Sequence, residues 1–269
     1  MDPRTFRGFC KLAYDHAGIA LRENKETLVA ARIAKRIRTL GLSSESEYLD
    51  YLQNDSTGEE LLSFIDVIST NFTSFFREGD HFEVLKRELD ARVMDGQKRV
   101  RLWCAAAATG EEPYTLAITM AEALAGSAID WRLLATDISL RALGVAHEGC
   151  YEATKLEPVP RGLRERYFSK ENAAGGAPML RARDVLRERT VFKRLNLATP
   201  PFPMKGELDI VFCRNVMIYF DLTVRQRLIR EIERLLKPGG MLVVAHSETL
   251  SGIASSFAMM KPSVYRKAA

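Results

Sequence analysis

The sequence predicts a doubly wound α/β domain, preceded by an all-helical domain and interrupted by a small inserted antiparallel β-subdomain. Three observations carry this. From Arg99 onward, short apolar runs alternate with helical-period segments, the pattern of parallel βαβ units with helices on both faces of a sheet. Before about residue 70 the apolar residues recur only at helical spacing. Between about 160 and 195 the alternation breaks. A chain of 269 residues is long enough for one large core and a smaller second one.

In chain order, "KETLVAARIAKRIRTLG" sets Val29, Ile33, Ile37 and Leu40 on one helical stripe, with Gly41 as the C-terminal stop. Arg32, Lys35 and Arg38 project away from that stripe and Arg36 lies on its border. Between Arg4 and Arg38 stand nine basic residues, against Asp15, Glu23 and Glu26. This basic face reads either as a solvated surface or as a dock for an acidic partner. "TNFTSFFRE" reads as an amphipathic helix packing Phe72, Phe75 and Phe76. "RVRLWCAA" is a buried strand, followed by a helix from Pro113 to about Ala125. "DWRLLATD" is a strand and "ISLRALGVAHEG" a helix. In the interruption, "NAAGGAP" is a loop between the strand-like "MLRAR" and the segments before it, and "TVFKRLNL" runs into the next sheet strand. "LDIVFCRN" is a strand, "LTVRQRLIREIERLLKPGG" a helix closed by Pro-Gly-Gly, and "MLVVAHSE" a strand. "FAMMKPSVYRKA" fits a last edge strand, where Pro262 is tolerated.

Composition excludes several classes. Hydrophobic residues at 46% and charged residues at 28% match a soluble globular chain, and no run nears the roughly 20 apolar residues of a membrane span. "MDPRTFRGFCKLAYDHAG" lacks the apolar core of a secretory signal, so a cytoplasmic location is expected. Cys10, Cys104, Cys150 and Cys213 are far apart, and two of them lie in apolar runs that read as strands. Neither a metal site nor a disulfide framework is expected.

The chemistry concentrates at strand ends, because ligands of open α/β sheets bind beyond the carboxyl ends of the strands, near a switch in strand order. "AAAATGEEP" is such a turn, with one glycine, Gly110, and no phosphate cradle of the G-x-G-x-x-G kind, which disfavours a dehydrogenase. Thr109 and Glu112 have capping-box spacing, but Pro113 would then need an N–H it lacks. Proline favours the first helical position, which makes Glu112 the N-cap, serving the helix or a ligand. Asp137 ends the second strand, where an acid takes ribose hydroxyls or caps the helix starting at Ile138. Acids without a phosphate cradle suit a nucleoside bearing cationic groups, and S-adenosylmethionine has both a sulfonium and an ammonium.

The blocks "TNFTSFFREGDHF", "AAATGEEPYTLAI", "ATDISLRAL", "FCRNVMIYFD" and "KPGGMLVVAHSE", in this order and spacing, resemble the chemotaxis receptor methyltransferases, the CheR family. The resemblance covers most of the chain. It implies a Rossmann-like methyltransferase sheet and transfer of a methyl group from S-adenosylmethionine to glutamate side chains of methyl-accepting chemotaxis receptors, with S-adenosylhomocysteine as product. It also implies a helical domain over 1–70, a linker over 71–82 and a catalytic domain over 83–269, with the β-subdomain at about 160–195. Carried over by position, cofactor contacts fall on Asn71, Thr73, Arg77, Glu112, Asp137, Asn196, Leu197, Arg214 and Asn215. Asp137 is then the ribose acid, Asn196 and Leu197 lie near the adenine, and the linker closes over the methionine end. Receptor methylation helices carry acidic residues, which gives the face of Arg32, Lys35, Arg36 and Arg38 a candidate partner. Some members of the family bind a receptor C-terminal peptide by strand addition to the β-subdomain. "SKENAAGGAPMLRARDVLRERT" departs from that region's pattern, so the peptide stays open here.

Methyl transfer to a glutamate needs no general base, since a carboxyl with a pKa of about 4.3 is ionised at neutral pH. His81 and His246 are accordingly read as structural, and Arg77 and Tyr219 as the residues that hold the acceptor carboxylate. Two rivals remain at this level. A nucleic-acid methyltransferase usually carries an Asp/Asn-Pro-Pro-aromatic loop where this chain has "CRNVMIYF". A non-catalytic receptor-binding adaptor would keep the fold without the chemistry.

Overall fold

A computed structural model describes residues 1–171 and 177–268. The expected loop "NAAGGAP" lies mostly outside these residues. The first part is four helices, α1 (Pro3–Ala17), α2 (Glu26–Thr39), α3 (Glu45–Gln53) and α4 (Glu59–Ile68). Asp2 caps α1 through the N–H groups of Arg4 and Thr5, and Ser44 caps α3 through that of Glu47. Their apolar faces meet in one core around Phe9, Ile33, Tyr48 and Phe64, which includes Val29 of the expected stripe. Gly41, with φ +69°, lies just past the end of α2, where the left-handed turn suits glycine.

Next come α5 (Asp80–Met94), β1 (Arg99–Cys104), α6 (Glu111–Ala123), β2 (Asp130–Asp137), α7 (Leu140–Glu148), β3 (Cys150–Glu152), α8 (Arg161–Tyr167), β4 (Phe168–Glu171) and β5 (Met179–Ala182). They are followed by α9 (Asp184–Arg187), β6 (Thr190–Arg194), β7 (Leu208–Phe212), α10 (Leu222–Leu235), β8 (Leu236–Val243), β9 (Phe257–Lys261) and β10 (Val264–Lys267). Seven strands form one sheet in the order β6-β2-β1-β7-β8-β10-β9, the first five parallel and the last two antiparallel. Side chains alternate across it. Leu102 and Cys104 of β1 enter the core under α5 and α6, while Trp103 enters the core under α10. A second antiparallel sheet has the order β3-β5-β4 and begins at Cys150, ahead of the segment that the sequence marks as inserted. Among the described residues no helix is long and apolar enough to cross a membrane.

Several local expectations are corrected. "TNFTSFFRE" is not a helix. It runs irregularly, with left-handed backbone at Phe76 and Glu78. Tertiary partners take over its backbone groups: Phe76 N–H donates to Thr115 Oγ1 (3.2 Å), and the Arg77 carbonyl accepts from Arg214 Nη2 (2.6 Å). Phe75 is buried edge-on against Tyr151 and Phe168, whereas Phe72 is 77% exposed. Helix α10 stops at Leu235, and Lys237-Pro238-Gly239-Gly240 lies within β8 rather than closing the helix. Gly239 takes φ +71°, and the β7–β8 register shifts between Leu208 and Ile210, which accommodates the irregularity. The final segment is a hairpin, not one strand; Pro262 sits in its turn, where no ladder donor is needed.

Candidate functional site

Strand order reverses between β1 and β7: the chain continues from β1 to β2 and β6 on one side, and from β7 to β8 on the other. The crevice at their carboxyl ends opens into a cavity of about 840 Å³, mouth included. All ten sequence-derived site residues line it: Asn71, Thr73, Arg77, Glu112, Asp137, Asn196, Leu197, Arg214, Asn215 and Tyr219.

Each is placed by its own local reason. The turn after β1 is floored by Ala105, Ala106 and Ala108, the last in left-handed backbone. Helix α6 begins at Glu111 with Gly110 as N-cap, so Glu112 is not the cap and Pro113 falls at the third helical position. The first intrahelical bond then runs from Tyr114 N–H to the Gly110 carbonyl (3.0 Å), and proline forfeits nothing. Gly110 itself answers packing rather than a ligand. Its φ is +99°, and a Cβ there would stand 2.5 Å from the Tyr151 hydroxyl and 2.9 Å from Ala146.

Glu112 is buried, and its Oε2 accepts from Arg214 Nη1 (2.7 Å) while Cys104 Sγ lies 3.4 Å from Oε1. Burial pushes its carboxyl pKa up, and the Arg214 charge pulls it back. Arg214, whose side chain is wholly enclosed, also donates to Glu78 Oε2 (3.0 Å) and to the Arg77 carbonyl. The expected acidic rim is therefore neutralised: two carboxylates, Glu112 and Asp137, share the lining with two guanidinium groups, Arg77 and Arg214.

Asp137 ends β2 but does not cap the next helix. Ser139 does so, accepting from Ala142 N–H (3.0 Å). Asp137 instead accepts from Ala108 N–H (2.8 Å) and Ser139 N–H (3.0 Å), tying the two strand-end loops together. Burial raises its pKa, opposed by these N–H groups. Two backbone bonds leave part of a carboxylate's four acceptor positions free. Asn71 Nδ2 reaches Ser139 Oγ at 3.5 Å. Arg77 is half-exposed at the mouth, its guanidinium 5.9 Å from the Phe72 ring centroid and 3.3 Å from the Phe72 carbonyl.

Some of the lining was missed. Ala17, Ile19 and Ile68 of the helical domain wall one side of the cavity. Asn196 Nδ2 donates to the His16 carbonyl (2.7 Å), and the Tyr219 carbonyl accepts from Ala20 N–H (2.8 Å). Nothing in the sequence distinguishes these apolar residues from ordinary core. Glu248 was missed too. Buried, it accepts from the N–H groups of Asn215, Val216, Met217 and Ala245 at 2.8–3.0 Å and shapes the loop carrying Arg214 and Asn215. Its only signal is an acid shortly after an apolar strand. The basic face is also redrawn: Arg36 pairs with Glu60, and Arg32 bonds the Ile68 carbonyl and Thr70 Oγ1. Of the four basic residues, Lys35 and Arg38 remain exposed.

The chain matches the family models "CheR methyltransferase, all-alpha domain" over residues 4–69 and "CheR methyltransferase, SAM binding domain" over 71–266. It is 38% identical to a chemotaxis protein methyltransferase of Salmonella typhimurium, over 97% of this chain and 88% of that one. It is 40% identical to chemotaxis protein methyltransferase 2 of Pseudomonas aeruginosa, over 87% and 82%. Identity to the Borreliella burgdorferi chemotaxis protein methyltransferase is 33%, over 96% and 92%. On these matches, which span nearly the whole sequence, the chain belongs to the CheR family of S-adenosylmethionine-dependent methyltransferases.

Proposed function

We propose that this cytoplasmic enzyme transfers the methyl group of S-adenosylmethionine to glutamate side chains of chemotaxis receptors, giving methyl esters. The carrying observation is the convergence of Asp137, Glu112, Arg214, Arg77 and Tyr219 on one cavity at the sheet's switch point. The donor set fits the cofactor. Asp137 has acceptor positions to spare for vicinal ribose hydroxyls, and Ile138 and Leu197 offer an apolar slot for a base. The alanine floor leaves room for the chain between them. When bound, S-adenosylmethionine supplies a methyl group on a positively charged sulfur, open to in-line displacement.

The protein's task is orientation and the exclusion of water, which together contribute roughly 7–11 kcal/mol in favourable systems. No histidine or cysteine lines the cavity among the described residues, in keeping with an acceptor that is already ionised. Arg77 and Tyr219 stand at the mouth to hold the acceptor carboxylate. A single-oxygen contact from Arg77 serves better than a bidentate clamp, which would lower the oxygen's nucleophilicity. The Glu112–Arg214–Glu78 chain fixes the linker backbone against the strand ends, and so sets where Arg77 stands. Acidic methylation helices would meet Lys35 and Arg38, and a receptor C-terminal peptide would add to an outer strand, β3 or β4, of the small sheet.

Calorimetric titration with S-adenosylmethionine, paired with radiolabelled transfer to receptor cytoplasmic fragments, tests the reading. Base-labile label in the receptor fragment is the expected outcome. Alkali-stable label in RNA, or cofactor binding without transfer to receptors, overturns it in favour of a nucleic-acid enzyme or an adaptor.

A further inference from the structure

The sequence points to no metal site, yet the fold brings two of the four histidines together with a carboxylate. His81, at the start of α5, is wholly buried, and its Nε2 lies 2.7 Å from Ser263 Oγ in the C-terminal hairpin turn. The Ser263 hydroxyl is also 2.6 Å from the Pro262 carbonyl, to which it can donate while accepting from His81. With the ring proton on Nε2, Nδ1 presents a lone pair, and this buried atom has no hydrogen-bond partner among the described residues. Nδ1 faces Glu78 Oε2 at 3.4 Å. Glu78 Oε2 already accepts from Arg214 Nη2 (3.0 Å) and from the His246 N–H (3.2 Å), whereas a cation between it and His81 would give the buried Nδ1 the partner it lacks.

A third donor is at hand. A ring nitrogen of His246, in the loop after β8, lies within 4.8 Å of both atoms. Asp80 engages His246 Nε2 at 3.1 Å, which leaves Nδ1 to a ligand and supplies the outer carboxylate that orients metal-bound imidazoles. The 3.4 Å separation is that of two ligands on a tetrahedral ion with bonds of roughly 2.1 Å. Glu78 reaches the cluster through left-handed backbone, an unfavourable conformation for a non-glycine residue. Arg214, on Glu78 Oε2, is also paired with Glu112, and Lys261 lies 3.9 Å from Asp80, so both neighbouring cations have a carboxylate of their own.

We propose that Glu78, His81 and His246 form a binding site for a first-row divalent transition ion. Zinc is the natural occupant of a set of two imidazoles and one carboxylate with a fourth position left for water. The site joins the linker before α5 to the loop after β8, so an ion there clamps the segment that carries Arg77 to the sheet. It lies outside the cofactor cavity lining and is independent of the receptor reading.

The test uses the full chain, freed of metal by chelation and titrated calorimetrically with zinc chloride. One equivalent is expected to bind and to raise the melting temperature. His246→Ala, at a half-exposed position that the fold tolerates, should weaken binding by about 100-fold or more and abolish the thermal shift. Cobalt(II) loaded in place of zinc should give four-coordinate visible absorption bands that vanish in the same variant. The double variant Cys10→Ser and Cys150→Ser should leave all three readouts unchanged. Equal zinc affinity in wild type and His246→Ala, or binding lost with the cysteines instead, overturns the site.

Discussion

Arg36 in the helical domain and Arg214 in the cavity wall each meet a buried glutamate, but the two are satisfied differently. Arg36 Nε bonds Glu60 Oε1 at 2.9 Å, a second guanidinium nitrogen takes Oε2, and the Tyr48 hydroxyl donates to the same acid at 2.7 Å. The cluster joins α2, α3 and α4 and does not line the cavity at the switch point. Arg214 divides itself among Glu112, Glu78 and a backbone carbonyl, keeps an Nε without partner among the described residues, and lines the cavity at the switch point. A saturated pair is an element of packing. An unsaturated one beside a cavity is held ready for a ligand, and buried charge of this kind is where function concentrates.

The sharpest way to break the comparison is to remove each arginine. Arg214→Ala strands Glu112 in the interior and frees the linker; about 3–5 kcal/mol of stability should go, together with methyl transfer, in urea unfolding and radiolabel assays. Next in size, Arg77→Ala should lower kcat by about 100-fold while cofactor affinity stays within about twofold; an unchanged kcat would remove Arg77 from acceptor positioning. Arg36→Ala leaves Glu60 with Tyr48, so a loss of about 1–3 kcal/mol is expected with no change in the S-adenosylmethionine dissociation constant. A cofactor effect as large as that of Arg214→Ala would erase the distinction between the two pairs.

Asp137→Asn adds a pH signature. Because burial holds the Asp137 pKa above its unfolded value, its favourable contribution is present below that value and fades as pH rises through the folded pKa. The stability of the variant relative to wild type should therefore climb from about pH 4 and then level off, as read by denaturant titration across that range. The smallest effect belongs to the exposed face. Lys35→Glu with Arg38→Glu should slow receptor association several-fold at low salt and leave cofactor binding intact, whereas Arg32→Glu should cost stability through its bonds to Ile68 and Thr70.

The strand–helix rhythm, the helical first domain and the strand-end acids were legible because each depends on residues close in sequence: alternation at period two, stripes at period 3.6, turns after apolar runs. Errors gathered where a distant partner outbid local preference. "TNFTSFFRE" has helical spacing, but Thr115 and Arg214 claim its backbone. Lys237-Pro238-Gly239-Gly240 looks like a helix stop, yet it is drawn into β8 beside β7. Arg36 looks like surface until α4 brings Glu60 beneath it.

By itself, then, the sequence determined which residues carry charge and which segments bury, because both follow from side-chain chemistry and short-range periodicity. The tertiary structure alone decided which charges cancel, that the helical domain walls the cavity at the switch point, and that His81 and His246 meet across 165 residues of chain (246 − 81). Those outcomes depend on contacts between residues far apart in sequence, and no local pattern encodes the distance between them.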